Sequence, residues 1–154
     1  MLIAVLVGCA DPIGEDDGCA VGVEPGAAAA TVDGEPWTGG GATWLWAGES
    51  LQLNTVGSGS WWMSMVAQTT GDGTTLKAAV DAGVFPITVS LTEGGWATFY
   101  PDSGSSFSSE EGGGELVLVE ATPTTVRGCF WFEAASDADT VSVEAGELDA
   151  EPAE

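Results

Sequence analysis

The chain has 154 residues, enough for one ordinary domain, and 44% of them are apolar, so the composition supports a packed core. The charge is one-sided: 24 acidic residues stand against two basic ones and histidine is absent, which gives a formal net charge of −22. This balance argues against nucleic acid as a partner, because nothing would neutralise phosphates, and against chemistry that needs a histidine base or ligand.

The first nine residues indicate export. An apolar run of eight residues ends at Gly8 and is followed by Cys9. The run is too short to span a bilayer, which takes about 20 residues, and matches the apolar region of a secretory signal. No basic residue precedes the run, which indicates either that the true start codon lies upstream or that the signal is weak. The alternative interpretation is a buried first strand.

Leu6-Val7-Gly8-Cys9 resembles the lipobox of bacterial lipoproteins. The resemblance implies that Leu6, Val7 and Gly8 bind in the groove of the signal peptidase and that Cys9 carries the lipid. Further acyl chains such as palmitate would complete a stable membrane anchor. Ala10 follows the anchor position, where aspartate would favour the inner membrane. The resemblance therefore implies a lipoprotein of the cell envelope, held at the outer membrane.

Composition divides the whole chain into four segments. Residues 1–9 form the signal segment, and residues 10–26 are acidic and rich in Gly and Pro, as in a flexible tether. Residues 27–150 form the predicted domain, and residues 151–154 an acidic tail.

The cysteine count fits export. There are three cysteines, and if Cys9 is lipidated, Cys19 and Cys129 remain to form a disulfide in an oxidising compartment. The chain-entropy model gives such a long loop on the order of 4–5 kcal/mol of stability. No C-x-x-C motif and no histidine accompany these cysteines, so we expect neither a metal site nor a cofactor.

The domain is predicted to be all-β. Short runs rich in β-branched and aromatic residues alternate with Gly, Ser, Asp and Pro clusters, which predicts one antiparallel β-sandwich or flattened β-barrel of about 7–9 strands. The strongest helix candidate, residues 74–80, is too short to stand alone, so no helix is expected.

Alternation predicts the inward faces of several strands. Leu51 and Leu53 share one face, and the same period places Val141, Val143 and Ala145 together. In the strand of residues 125–132 the inward set is Val126, Phe130 and Phe132, which leaves Arg127, Cys129 and Trp131 on the outside. A Cys19–Cys129 bond would therefore draw the N-terminal segment across that outer face.

Four short motifs carry a second resemblance. They read Asp33-Gly34-Glu35-Pro36-Trp37, Gly83-Val84-Phe85-Pro86-Ile87, Gly114-Glu115-Leu116-Val117-Leu118-Val119, and Val126 to Ala134. Their order is similar to that in a family of small exported bacterial domains of unknown function, many of them lipoproteins. The resemblance implies an all-β domain and supplies no catalytic residue.

Tryptophan is the most promising binding residue. Trp44 and Trp46 lie two apart, so on a strand they share a face and could stack against sugar rings. The alternative is that they fill the core, since aromatic side chains dominate burial. Exposure of the two rings decides between these interpretations.

The carboxylates are interpreted as a solvated anionic surface, because the sequence holds no calcium-binding loop. A carboxylate hydrolase would need two carboxyls fixed in one cleft, and nothing in the sequence provides that, so we expect no enzyme activity.

The sequence thus predicts an envelope-anchored lipoprotein with a non-catalytic domain that makes protein or glycan contacts. The alternative is a binder of a small apolar ligand with a lipocalin-like interior.

Overall fold

The structure, a computed structural model, describes residues 19–57, 62–101, 106–110, 112–137 and 139–154. These residues form ten strands and one short helix, which confirms the all-β prediction. In chain order the elements are β1 (Ala27–Val32), β2 (Glu35–Ala47), β3 (Ser50–Gly57), β4 (Trp62–Ala67), α1 (Leu76–Ala82), β5 (Ile87–Ser90), β6 (Gly95–Tyr100), β7 (Phe107–Ser108), β8 (Gly114–Ala121), β9 (Val126–Ala135) and β10 (Thr140–Pro152).

Eight strands close into a barrel in the order β1–β2–β3–β4–β6–β7–β9–β10, and the antiparallel pairing of β10 with β1 completes the ring. The two remaining strands extend it: β8 pairs with the same edge of β9 as β7 does, and β5 pairs with β8. The last residues of β10 pass the end of β1 and pair in parallel with β2, Glu151 opposite Thr43. Closure leaves few unpaired strand edges, which protects an all-β protein from edge-to-edge association.

The barrel interior is filled by the inward side chains of the strands. Leu51, Leu53, Phe130 and Phe132 are fully buried, as the alternation of the sequence predicted. Trp37 is buried, and its ring lies over Gly57 of the neighbouring strand, where an added Cβ would fall 2.4 Å from the indole nitrogen. Only glycine therefore allows this ring to approach the backbone so closely.

A short helix closes one end of the barrel, contrary to the expectation of none. Thr75 caps its N-terminus by accepting a hydrogen bond from the backbone N–H of Ala78, and Gly83 ends it in the left-handed conformation. Leu76 is fully buried in the barrel core. Burial of this side chain, together with the two caps, stabilises a segment that propensity alone would leave unfolded.

The inward face of β10 changes partway along the strand. Val141 and Val143 are buried as predicted, but Ala145 is exposed, so its predicted inward position is wrong. A bulge between Val143 and Gly146 inserts an extra residue, and Ala145 adopts a positive φ of 50° there. The bulge moves every later residue of β10 by one position, so that Gly146 and Leu148 take the inward places.

Residues 19–26 run along the outside of β9 and β10 as an N-terminal strap. Cys19 forms the predicted disulfide with Cys129, and the guanidinium of Arg127 donates a hydrogen bond from Nη2 to the carbonyl oxygen of Val21 at 3.1 Å. The strap thus crosses the outer face of β9, as the disulfide prediction required.

Candidate binding surface

The predicted tryptophan pair faces inward. Trp44 and Trp46 do share a face of β2, but Trp44 is only 9% exposed and Trp46 is half-buried against the core. The Lys77 ammonium lies 5.5 Å from the centre of the Trp46 ring. The exposure that would favour a sugar-stacking role for these two rings is therefore not found.

The predicted lipid anchor, Cys9 with the lipobox residues before it, lies outside the described residues. Among the residues that the structure does describe, no helix is long and apolar enough to cross a membrane. Within the same residues, no group of three or more cysteine or carboxylate side chains is placed to hold a metal ion.

Charge is distributed very unevenly along the chain. From Pro36 to Gly71 the only ionisable carboxylate or cation is Glu49, although the whole protein carries a net charge of −22. This stretch forms β2, β3 and β4, and Glu49 lies in the turn between β2 and β3. The strands formed by this nearly uncharged stretch are neighbours, so they lie together on one side of an otherwise acidic barrel.

The outward side chains of β3 and β4, together with those of the neighbouring strand β6, form an uncharged surface, which we call the neutral wall. They are Gln52, Asn54 and Val56 of β3, Trp62, Ser64 and Val66 of β4, and Trp96, Thr98 and Tyr100 of β6. Their cross-strand register arranges them in three rows, because directly paired residues point to the same side of a sheet.

The first row is apolar and exposed. Val56 pairs with Trp62, and Trp62 pairs with Tyr100. The rings of Trp62 and Tyr100 stack face to face, with their centroids 3.6 Å apart and their planes 4° from parallel. Trp62 is 37% exposed and Val56 58% exposed. Each ring covers one face of the other, so the pair stands above the sheet as an aromatic ridge beside the open side chain of Val56.

The second row is polar. Asn54, Ser64 and Thr98 are paired across the three strands, and all three are half-buried. Their amide and hydroxyl groups provide both hydrogen-bond donors and acceptors without a net charge. Successive rows are about 7 Å apart along the strands, so these groups lie within reach of a molecule that touches the aromatic ridge.

The third row combines the polar side chain of Gln52 with two apolar side chains, those of Val66 and Trp96. Trp96 is 37% exposed, and its cross-strand partner Val66 is buried. Aromatic side chains thus stand at both ends of a polar strip, with Tyr100 and Trp96 four positions apart on one strand, a span of about 13 Å. A partner that follows the strands would contact a ring, a polar row and a second ring in turn.

The opposite side of the barrel is acidic. Glu115, Glu120, Glu133, Glu147 and Asp149 point outward from β8, β9 and β10, as their cross-strand pairing with outward residues of β9 and β10 requires. Burial raises the pKa of Glu115 above its ordinary value. We call this surface the acidic wall.

Arg127 is the one cation of the acidic wall. Its Nε atom lies 3.1 Å from Oδ2 of Asp149, and its Nη1 atom lies 3.5 Å from Oε2 of Glu120. The same guanidinium also binds the strap, so it links the N-terminal segment to the carboxylates of this wall.

The two walls face away from each other. In the eight-strand ring, β3 is four strands from β9 in either direction, and β3 is therefore directly across the barrel from β9. The strap and its disulfide occupy β9, so the neutral wall lies on the far side from the point where the N-terminal segment joins the barrel.

No protein-family model, no curated protein and no solved structure matches this chain.

The exposed tryptophans, Trp62 and Trp96, lie on β4 and β6, whereas the sequence pointed to the pair on β2. The apolar run that contains Trp62 has apolar residues on both faces, so alternation does not indicate which ring points outward. The signal that could have found the neutral wall is the near absence of charge from Pro36 to Gly71 in an otherwise acidic chain.

Proposed function

We propose that this protein is an envelope-anchored bacterial lipoprotein whose β-barrel domain has no catalytic role and binds a neutral glycan through the neutral wall. The observation that carries the proposal is the neutral wall itself: an uncharged surface with exposed aromatic rings on a protein of net charge −22. An acidic protein gains solubility from a charged surface, so an uncharged, partly apolar side is typical of a contact surface.

The chemistry of the wall favours a sugar chain over a protein. A sugar ring has an apolar C–H face that stacks on an aromatic ring, and hydroxyl groups at its edge that bond to amides and hydroxyls. The aromatic ridge of Trp62 and Tyr100 next to Asn54 and Ser64 offers both contacts. The lack of cations in the wall, within a strongly negative field, selects against anionic polysaccharides.

The position of the wall suits an anchored protein. A lipid on Cys9 would tether the barrel through residues that join it at Cys19, on the acidic wall. The acidic wall is repelled by anionic lipid. The neutral wall, on the opposite side, would be turned away from the anchor and toward other components of the envelope.

Affinity electrophoresis of the full chain tests the glycan contact. We expect a neutral β-linked glucan or mannan in the gel to retard the protein and an anionic polyuronate to leave it unretarded. Combined Trp62→Ala and Tyr100→Ala replacement should weaken retention at least about tenfold, the size of a typical contact hot spot. Val84→Ala, which truncates a side chain that is 75% exposed outside the wall, is the matched control and should change nothing.

Two results of that experiment would contradict the glycan contact. One is that no neutral polysaccharide retards the wild-type chain. The other is equal loss of retention in the ring variants and the Val84 control. If cross-linking in the envelope then captures a protein at the neutral wall, the contact is with a protein.

Intact mass of the purified native protein tests the anchor separately. We expect loss of residues 1–8, the mass of a diacylglycerol and further acyl chain on Cys9, and two hydrogens fewer for the Cys19–Cys129 disulfide. A product that keeps Met1 and carries no acyl mass would contradict the anchor while leaving the glycan contact to its own experiment.

The second candidate function, the binding of a small ligand, is favoured by a different feature. Buried side chains fill the described interior of the barrel, but one end of the barrel holds a pocket of about 310 Å³.

A further inference from the structure

One end of the barrel opens into a pocket with an apolar floor. Val32, Phe99, Phe107 and Val141 line it, and they come from β1, β6, β7 and β10. The rings of Phe99 and Phe107 lie 6.5 Å apart at an angle of 54°. Val32, Phe99 and Val141 are buried, so this floor is continuous with the barrel core.

Three carboxylates stand on the rim of the same pocket: Asp33, Glu35 and Asp139. Two of them are held in place by the backbone. Oδ1 of Asp33 accepts a hydrogen bond from the N–H of Ser142 at 2.8 Å, and Oδ1 of Asp139 accepts one from the N–H of Thr140 at 2.8 Å. Each of these carboxylates keeps its second oxygen for another donor.

The rim has no cation of the protein to neutralise it. The chain has two basic side chains, and both are engaged elsewhere. Lys77 pairs with Asp81 on α1, and Arg127 pairs with Asp149 on the acidic wall. A positive charge that pairs with the rim therefore comes from outside the protein.

We propose that this pocket binds a small hydrophobic amine, with its apolar tail on the phenylalanine floor and its ammonium group between the rim carboxylates. The volume, about 310 Å³, is at the lower end of the range for small-molecule sites, about 300–1,000 Å³, and therefore suits a short alkyl or single-ring tail. This site goes beyond the neutral wall, because it takes a ligand of opposite character at a different place.

The charge of the ligand distinguishes this site from a general apolar pocket. An apolar floor alone would bind an alcohol, an amine and a carboxylate of equal tail length about equally well. The rim adds attraction for the amine and repulsion for the carboxylate, each screened by salt because the carboxylates are exposed. The order of affinity should therefore be amine, then alcohol, then carboxylate.

The test is an NMR titration of the full chain, labelled with ¹⁵N, with hexylammonium, hexanol and hexanoate as tail-matched probes. We expect saturable one-to-one binding of hexylammonium, with the largest amide shifts at Val32, Phe107 and Val141. Hexanol should bind more weakly, and hexanoate more weakly still.

Two sets of variants separate the rim from the overall negative field. Combined Asp33→Asn, Glu35→Gln and Asp139→Asn should weaken hexylammonium binding about tenfold, as expected for several exposed ion pairs together, and should leave hexanol binding unchanged. The asparagines keep the oxygen that accepts the backbone hydrogen bond. The control replaces Glu49, Glu93 and Glu151, at the other end of the barrel, by glutamine and removes the same amount of charge.

Selective weakening in the rim variant, with the control unchanged, supports the site. Equal affinity for the three probes, equal weakening in both variants, or shifts that are spread over the surface and do not saturate would each overturn it. None of these results bears on polysaccharide binding by the neutral wall, which the electrophoresis tests.

Discussion

Cys19 and Cys129 are joined by a disulfide that brings their Cα atoms to 5.6 Å, although 110 positions separate them in the sequence. Cys129 lies on β9, directly across the barrel from β3. The bond therefore attaches the N-terminal strap to the acidic wall, and the neutral wall lies on the opposite side of the barrel.

Removal of this disulfide should destabilise the barrel strongly. The bond closes a loop of over 100 residues, for which the chain-entropy model gives on the order of 4–5 kcal/mol. We expect Cys19→Ser with Cys129→Ser to lower the urea midpoint accordingly, with a similar shift on reduction of the wild type. An unchanged midpoint in both cases would mean that the disulfide contributes nothing to stability.

Arg127 should matter far more to stability than the chain's other cation. Arg127→Met removes the partner of Asp149, which is only 7% exposed, and the bond to the strap at Val21. The expected cost is about 1–3 kcal/mol, because a mostly buried carboxylate loses its charged partner. Chemical denaturation should find Lys77→Met within about 0.5 kcal/mol of the wild type, since the Lys77–Asp81 pair is exposed. Equal losses of stability in the two variants would refute the larger contribution of Arg127.

Glu115 should make stability fall as the pH rises. Burial raises its folded-state pKa above the ordinary value of 4.5, so the unfolded chain loses the proton first as the pH increases. The contribution of Glu115 is therefore greatest below that ordinary value and is lost as the pH rises through the raised one. Glu115→Gln should remove this slope in urea unfolding between acidic and neutral pH, whereas Glu133→Gln, at an exposed position of β9, should keep it.

The side chain of Ser109 bridges β6 and the residue that follows β5. It is fully buried, accepts a hydrogen bond from the N–H of Ala97 at 2.8 Å, and donates one to the carbonyl oxygen of Leu91. Ser109→Ala should cost about 1–3 kcal/mol in thermal or urea unfolding, because two buried backbone groups lose their partner. Ser108→Ala, at the neighbouring half-buried position, should cost less than about 0.5 kcal/mol. A reversed order would show that the hydroxyl of Ser109 is dispensable.

The all-β fold could be predicted from local signals, and the disulfide from the number of cysteines. Alternation placed Leu51, Leu53, Phe130 and Phe132 inside, and elimination of Cys9 left one pair of cysteines. Ala145 could not be placed, because the bulge beside it follows from the geometry of the closed barrel and breaks the two-residue period.

The candidate sites were less predictable because distant strands build them. Trp62 and Tyr100 meet only through the pairing of β4 with β6, and β4 carries apolar residues on both of its faces. The pocket brings Val32 next to Val141 through closure of the ring between its first and last strands. Neither contact between side chains leaves a pattern in the sequence around it, and only the low charge from Pro36 to Gly71 points to the neutral wall.

The most direct test of the proposed contact is hydroxyl-radical footprinting of the protein in intact envelopes and after purification. Trp131, on the acidic wall, serves as the internal reference. If the neutral wall is the contact surface, oxidation of Trp62, Trp96 and Tyr100 should be suppressed in the envelope and restored on purification, relative to Trp131. Equal oxidation of all these rings in both preparations would contradict a contact at the neutral wall.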